Sequence, residues 1–415
     1  MERVDLRYVR VFISAGEASG DLYASRVVEA LRARHPDAEF FGCAGPRMQA
    51  AGVRAIVDAR SIAVAGLVEV IPHIPRIWRE FRKLCRSFSN GNDKPDIAVL
   101  TDSPDFHLRL AKKLKRQGIP VVYLIAPQAW AWRQGRVRTM RATIQRLLCI
   151  FPFEEEFFRE RGVPTSYIGH PLAGMVRPSM SRAEFMDRIG VLSAGHGPAP
   201  LDGPAPPIIT LLPGSRHGEV ARHLPYVLDA AGRILRSREK SAQPVFVLAL
   251  PPGFGYEESE IRHTVKFWER KEGASIQVME GATWDALAYS QLALAASGTV
   301  TVEAALLGAP MVTFYRVNEL SWLLGRWLVR APFLSMVNLV GGRRVAPELI
   351  QGEMTGERIA AEAIRLLDDE TAREEMRTGL AGVRAKLASG GDPMEKAAEW
   401  IEKVFSESKQ SVPLV

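Results

Sequence analysis

Five short stretches concentrate residues able to do chemistry, and each follows a run of apolar residues. ISAGEASGDL (13–22) sets Gly16, Glu17, Ser19, Gly20 and Asp21 directly behind Val9, Val11, Phe12 and Ile13. Glycines there let backbone approach a ligand, and the free amides of a following helix favour oxygen-rich groups. The spacing is G-x-x-x-G, so the dinucleotide fingerprint G-x-G-x-x-G is not met. A tight turn with Ser19 or Asp21 as a helix N-cap accounts for the same residues. In LTDSPDFH (100–107), Pro104 turns the chain between Asp102 and Asp105. Asp102 is a candidate general base, a carboxylate able to take a proton from an attacking hydroxyl, or else an N-cap for the helix that follows. YLIAPQAWAWRQGRVRTMR (123–141) interleaves Trp130 and Trp132 with Arg133, Arg136, Arg138 and Arg141. That mixture suits sugar stacking with phosphate pairing, a nucleic-acid platform, or a basic solvated helix.

Two further stretches lie in the second half. In ITLLPGSRHGEV (209–220), Pro213 and Gly214 turn the chain, and Ser215, Arg216 and the amides of the next helix are placed to hold a diphosphate. No G-x-x-x-x-G-K-[ST] is present, so this is not a P-loop. LALAASGTVTVEAALLGAP (292–310) reads as a strand, a Ser297-Gly298-Thr299 turn and a short helix carrying Glu303. Glu303 could accept both ribose hydroxyls of a nucleotide while 297–299 offer amides and hydroxyls to its phosphates; a first-turn Glu is also favoured by the helix dipole alone.

The elements that must position these residues alternate short apolar runs with amphipathic segments, the pattern of a parallel sheet covered by helices. Predicted strands are 9–14, 40–43, 97–101, 121–125 and 147–151, then 208–212, 245–250, 276–279, 292–295 and 311–314. Residues 22–34 and 108–117 repeat apolar side chains at three and four and read as helices. The fold class is therefore α/β, in two similar halves. Between them, LSAGHGPAPLDGPAPP (192–207) has five prolines and three glycines and reads as an exposed loop, with a hinge between Met175 and Arg182.

Composition narrows the partners. The chain has 415 residues, 47% of them hydrophobic, enough for two domains. Cys43, Cys85 and Cys149 form no CxxC pair, which suits a reducing compartment rather than a disulfide scaffold. The histidines show no HExxH or H-x-H spacing, so no metal site is predicted. No uncharged run is long enough for a transmembrane helix, and the N-terminus lacks a signal-peptide h-region. A net charge of +7 and a pI near 9.4 point to an anionic partner: nucleic acid, phosphate ester or membrane surface. Residues 61–88 and 322–333 mix apolar and basic side chains and read either as patches for an anionic membrane or acyl groove, or as core helices with a solvated basic face.

AGEASGD, FGCAGPRMQAAG, DSPDFH, PQAWAWRQGRV, FPFEEEF, YIGHPL, LLPGSRHGEV and ASGTVTVEAAL stand in the order found in the lipid-A-disaccharide synthases, and over most of its length the chain resembles that family. The resemblance implies a GT-B architecture, two Rossmann-like domains whose parallel sheets face across a cleft. Its expected boundaries are 1–178 for the acceptor side, with a membrane- or acyl-binding surface, 179–392 for the UDP-sugar side, and 393–415 for a C-terminal helix able to cross back to the first domain. It implies an inverting transfer from UDP-2,3-diacylglucosamine to 2,3-diacylglucosamine 1-phosphate (lipid X), giving a β(1→6) disaccharide and UDP, by a cytoplasmic enzyme held peripherally at the inner membrane surface. No cofactor, metal or nucleic acid is implied, and the oligomeric state stays open, a homodimer included. By matching motif, Asp102 is the base, Glu17 and Ser19 lie by the reacting groups, and Gly214, Ser215, Arg216, Ser297, Gly298, Thr299 and Glu303 hold UDP. Trp130, Arg133 and Asn338 are assigned to the acceptor or other functional contacts. The sequence departs from the family pattern at His107, where asparagine is common, and in the Pro-rich loop. A UDP-sugar 2-epimerase of the same fold and a non-catalytic nucleotide-sugar or nucleic-acid binding module are the competing readings.

Overall fold

The computed structural model describes residues 9–62, 73–89, 94–190, 206–240, 243–318, 322, 331–388 and 390–410. The predicted Pro-rich loop up to 205, and residues 63–72 and 323–330 of the two apolar-basic patches, lie outside them. Two compact units account for the chain: 1–174 with 387–415, and 175–386.

In the first unit, β1 (Arg10–Ser14), β2 (Glu39–Ala44), β3 (Arg54–Asp58), β4 (Ile97–Thr101), β5 (Val121–Leu124), β6 (Arg146–Cys149) and β7 (Thr165–Tyr167) form one sheet, ordered β3-β2-β1-β4-β5-β6-β7. Every pairing is parallel. The helices α1 (Ala18–Arg34), α2 (Pro46–Ala50), α3 (Ile74–Ser87), α4 (Pro104–Arg116), α5 (Arg136–Thr143) and α6 (Pro152–Glu160) connect the strands. β4, IAVLT, is buried at all five positions, as a central strand covered on both faces must be. Phe12, Phe41 and Phe88 meet edge to face at 5.4–5.7 Å in this core. α4 begins on Pro104, whose missing N–H costs nothing in a first turn.

The second unit repeats the plan. After α7 (Arg182–Arg188) come β8 (Ile208–Leu212), α8 (His217–Arg236), β9 (Val245–Leu250), α9 (Glu260–Glu272), β10 (Ile276–Glu280), α10 (Thr283–Tyr289), β11 (Leu292–Ala296), α11 (Thr299–Leu307), β12 (Met311–Tyr315), α12 (Met336–Gly341), β13 (Glu348–Ile350), α13 (Gly356–Asp368) and α14 (Glu370–Leu387). The sheet order is β10-β9-β8-β11-β12-β13, again parallel throughout. Both sheets reverse their winding direction once, between β1 and β4 and between β8 and β11. In open α/β sheets a ligand site forms at the carboxyl ends of the two strands flanking that reversal.

The last helix, α15 (Pro393–Gln410), returns to the first unit and packs on α1, burying Met394, Ala397, Ile401, Val404 and Phe405. The unit divisions fall at 174/175 and 386/387, not at the expected 178/179 and 392/393. Physical ties explain both shifts. The amides of Ser179 and Met180 donate to Asp285 of α10, which draws the linker into the second unit. The amide of His170 donates to the Leu387 carbonyl at 3.0 Å, which starts the return before α15.

Candidate active site

At the first switch point, the turn after β1 faces the turn after β4. The amides of Gly16 and Glu17 donate to the Asp102 carboxylate at 2.8 and 3.1 Å. Asp102 and Ser103 both have left-handed backbone, with φ of 54° and 33°. Such a conformation costs a non-glycine residue about 1–3 kcal/mol and persists only where its surroundings over-determine it. Burial pushes the Asp102 carboxyl up to about 7, ahead of the two amide bonds that pull it down. The result is a carboxylate with the proton affinity of a general base at neutral pH. Gly20 answers the question its spacing poses: a Cβ there would lie 1.7 Å from Asp102 Oδ2.

The neighbours divide into those that face solvent and those that hold the turn. Glu17 and Ser19 are exposed at the start of α1. Neither Ser19 nor Asp21 caps that helix; its N-cap is Glu17, without a side-chain bond. Asp21 is buried and accepts the amides of Arg47 and Met48 at 3.0 Å, capping α2 instead. His107 is fully buried, its imidazole pushed down to about 4 by that burial, so its 3.7 Å approach to Asp102 Oδ1 is a polar contact and not an ion pair.

On the 123–141 stretch, Arg133 and Arg136 each reach Asp105 at 2.8 Å and lie over the Trp132 ring at 4.7 and 5.2 Å. Two guanidinium groups of that cluster are therefore engaged within the unit. Trp130 packs partly buried against the core and donates its indole N–H to Glu154 at 3.0 Å. Glu154 is itself buried, which raises its carboxyl to about 8. These contacts fit Trp130 to bracing the loop and leave its indole N–H committed to protein.

At the second switch point a cavity of about 680 Å³ opens beside the ends of β8 and β11. Gly214, Ser215, Arg216, Ser297, Gly298, Thr299 and Glu303 all line it. Gly214 has φ +144°, and a Cβ there would meet Glu219 at 2.5 Å. Glu219 accepts the Ser215 amide at 2.9 Å, fixing the turn. The exposed Arg216 guanidinium and the starts of α8 and α11 give the cavity the donors an anion needs. On α11, Glu303 is mostly buried, which raises its carboxyl, and it accepts the Trp284 indole N–H at 3.1 Å.

Among the lining residues that carried no sequence signal are Arg177, Trp284 and Asp285. Asp285 ties down Ser179 through both amide and hydroxyl, at 2.6 and 2.9 Å. Only the tertiary fold reveals that role.

Asn338 is turned inward. Its side chain is fully buried, donates to the Ala346 carbonyl and Glu348, and accepts the amides of Val345 and Ala346, all at 2.7–2.9 Å. With its amide satisfied from within the unit, it braces residues 345–348. Among the described residues, no group of three or more His, Cys, Asp or Glu side chains is arranged to hold a metal ion.

Known proteins resemble this chain over nearly its whole length. A family model described as lipid-A-disaccharide synthetase matches residues 11–398. A lipid-A-disaccharide synthase of Solibacter usitatus is 56% identical over 396 residues, covering 95% of this chain and 97% of the relative. One from Myxococcus xanthus is 42% identical over 395 residues, with the same coverage of 95% and 97%. Among solved structures, the calicheamicin glycosyltransferase CalG4 is similar with a TM-score of 0.57 at 16% identity, over 98% of this chain and 100% of that one. A UDP-GlcNAc 2-epimerase of Neisseria meningitidis bound to UDP-GlcNAc is similar with a TM-score of 0.56 at 12% identity, over 96% and 100%. At such identities the two structures speak for the fold alone.

Proposed function

The chain belongs to the lipid-A-disaccharide synthase family and is a glycosyltransferase of the GT-B fold, and from that premise we propose that it joins UDP-2,3-diacylglucosamine to lipid X with Asp102 as the catalytic base. Asp102 takes the proton of the acceptor 6-hydroxyl as that oxygen bonds to the anomeric carbon. The bond from that carbon to the β-phosphate oxygen breaks, and UDP leaves as an anion. Direct displacement turns the α-linked donor into a β product. The cavity of the second unit supports the donor half: Arg216 and the amides at the starts of α8 and α11 offset the charge of the leaving diphosphate, and Glu303 accepts from the ribose hydroxyls. The observation that carries the reading is the Asp102 carboxylate, held at a switch point by two amides and raised by burial to about 7.

Substrates with acyl chains call for an apolar surface with basic neighbours. α3 supports peripheral contact with the cytoplasmic face of the inner membrane: Ile74 and Trp78 are 52% and 46% exposed, beside exposed Arg76, Arg79, Arg82, Lys83 and Arg86. Among the described residues no helix is long and apolar enough to cross a membrane. Sedimentation with anionic vesicles tests this contact: Trp78→Glu is expected to weaken binding, and unchanged binding would remove α3 from the interface.

Mass spectrometry of products tests the reaction. Purified protein given both acylated substrates should yield the disaccharide 1-phosphate and UDP, and neither should form from the donor alone. Turnover of the donor without acceptor would favour the epimerase reading. Asp102→Ala should lose most turnover, about 100-fold or more for a positioned base, while UDP still binds; undiminished turnover would remove Asp102 from the mechanism.

A further inference from the structure

One backbone carbonyl of the first unit is gripped by side chains from two elements. The Asp102 carbonyl accepts the Tyr123 hydroxyl of β5 at 2.5 Å and His107 Nδ1 of α4 at 3.0 Å. A carbonyl only accepts, so Nδ1 carries the imidazole hydrogen. Nε2 is then the acceptor, and it takes the Ser14 hydroxyl of β1 at 2.8 Å. Tyr123 and His107 are both fully buried, and neither touches the exposed face of the site. Their shared target is the carbonyl of the first of two consecutive non-glycine residues with left-handed backbone. That conformation aims the carboxylate at the amides of Gly16 and Glu17.

We propose that His107 and Tyr123, with Ser14 behind them, form a carbonyl clamp that positions the Asp102 carboxylate for proton transfer. The inference rests on Asp102 being the base and assigns positioning residues to it. Released from the clamp, the Asp102 backbone relaxes toward ordinary φ values and its carboxylate drifts from the two amides. Those amides favour the charged form, so losing them raises the proton affinity of the base and also misplaces it. The titratable groups facing this carboxylate are Glu17 on the turn after β1, Cys43 on β2, His107 on α4 and Tyr123 on β5.

The test is steady-state kinetics across pH on Tyr123→Phe, His107→Leu, His107→Asn and Asp102→Asn, with UDP affinity and melting temperature measured in parallel. Tyr123→Phe and His107→Leu should each lower kcat about 10- to 100-fold, the range expected for a displaced catalytic group, and move the acid limb of the profile to higher pH. KM for the UDP-sugar and UDP affinity should stay near the wild-type values. His107→Asn places an amide donor where Nδ1 stood and should restore most of the turnover lost in His107→Leu. Losses of kcat that merely follow melting temperature, with an unmoved acid limb, would overturn the clamp, as would wild-type rates in Tyr123→Phe, which removes one oxygen and keeps the ring. Wild-type turnover in Asp102→Asn would instead sink the base assignment, and the clamp with it.

Discussion

At the residue scale, the proposed chemistry turns on a carboxylate whose proton affinity is set by opposing effects. Burial raises Asp102 and the Gly16 and Glu17 amides lower it, with burial prevailing to leave it at about 7. A base must be deprotonated to act, so kcat/KM should fall tenfold per pH unit below about 7, measurable in a pH–rate profile. The same shift has a stability consequence of fixed sign. Between 3.8, the ordinary value, and about 7, the native state keeps a proton that the unfolded chain has given up. Stability is therefore favoured at the acid end and declines as pH rises through that window. Denaturant melts of wild type and Asp102→Ala should show the decline reduced in the variant; equal slopes would mean the carboxyl is not raised in the native protein. Gly20 governs the same group sterically. Gly20→Ala puts a methyl 1.7 Å from Asp102 Oδ2, so the carboxylate must leave its amides. The expected result is loss of turnover of about 100-fold with UDP affinity intact.

At the element scale, what the sequence reveals depends on how uniformly an element is buried. β4 and β8 match their predicted spans because all their positions are buried, and a short apolar run has one reading inside a parallel sheet. β3, β7 and β13 escaped prediction for the opposite reason. Arg54 and Ala55 of β3 are exposed, β7 and β13 have three residues each, and β13 begins with a carboxylate, Glu348. Glu348 is buried because Ser335, Leu334 and Asn338 donate to it, and partners that reach it across a loop leave no periodic trace. The site shows the same limit. The cavity residues from Gly214 to Arg216 and from Ser297 to Glu303 were legible because each group sits on one strand-to-helix turn. The coupling of Gly20 to Asp102, and of Asp285 to Ser179, joins separate elements and needed the fold. Asn338, assigned a functional contact by the family resemblance, shows in the structure a set of internal hydrogen bonds that no sequence pattern announces. Asn338→Leu strands the buried amides of Val345 and Ala346, each at about 1–3 kcal/mol when left without a partner, and removes one of the donors to Glu348. A large drop in melting temperature with unchanged UDP affinity is expected; a selective loss of UDP binding would return Asn338 to the binding site.

At the scale of the whole molecule, the first unit is completed by the end of the chain. α15 buries Met394, Ile401, Val404 and Phe405 in that unit, each worth up to about 1.5–3 kcal/mol, with Ala397 and Ala398 beside them, against a total of about 5–15 kcal/mol for a typical domain. Polar contacts set its register: Arg34 pairs with Glu395 and Glu402, His35 meets Glu402 at 2.9 Å, Arg146 stacks on Trp400 at 4.3 Å, and Lys409 reaches Asp96 at 2.9 Å. Half-exposed pairs of this kind contribute little energy, so the apolar face carries the docking. Helix α1, on which α15 packs, starts at the turn that holds Asp102, so docking of α15 bears on the proposed base. A chain ending at residue 388 should keep the second unit folded and its UDP affinity near wild type, because α7 to α14 and the whole cavity lining lie within 175–387. The first unit should lose hydrogen-exchange protection in β1, α1 and β2 and turnover should vanish. Hydrogen exchange read by mass spectrometry separates the two units in one experiment. Protection in α1 equal to that of the full chain would show that the first unit folds without its returning helix, and loss of protection in β8 and β11 as well would show that the two units do not fold independently.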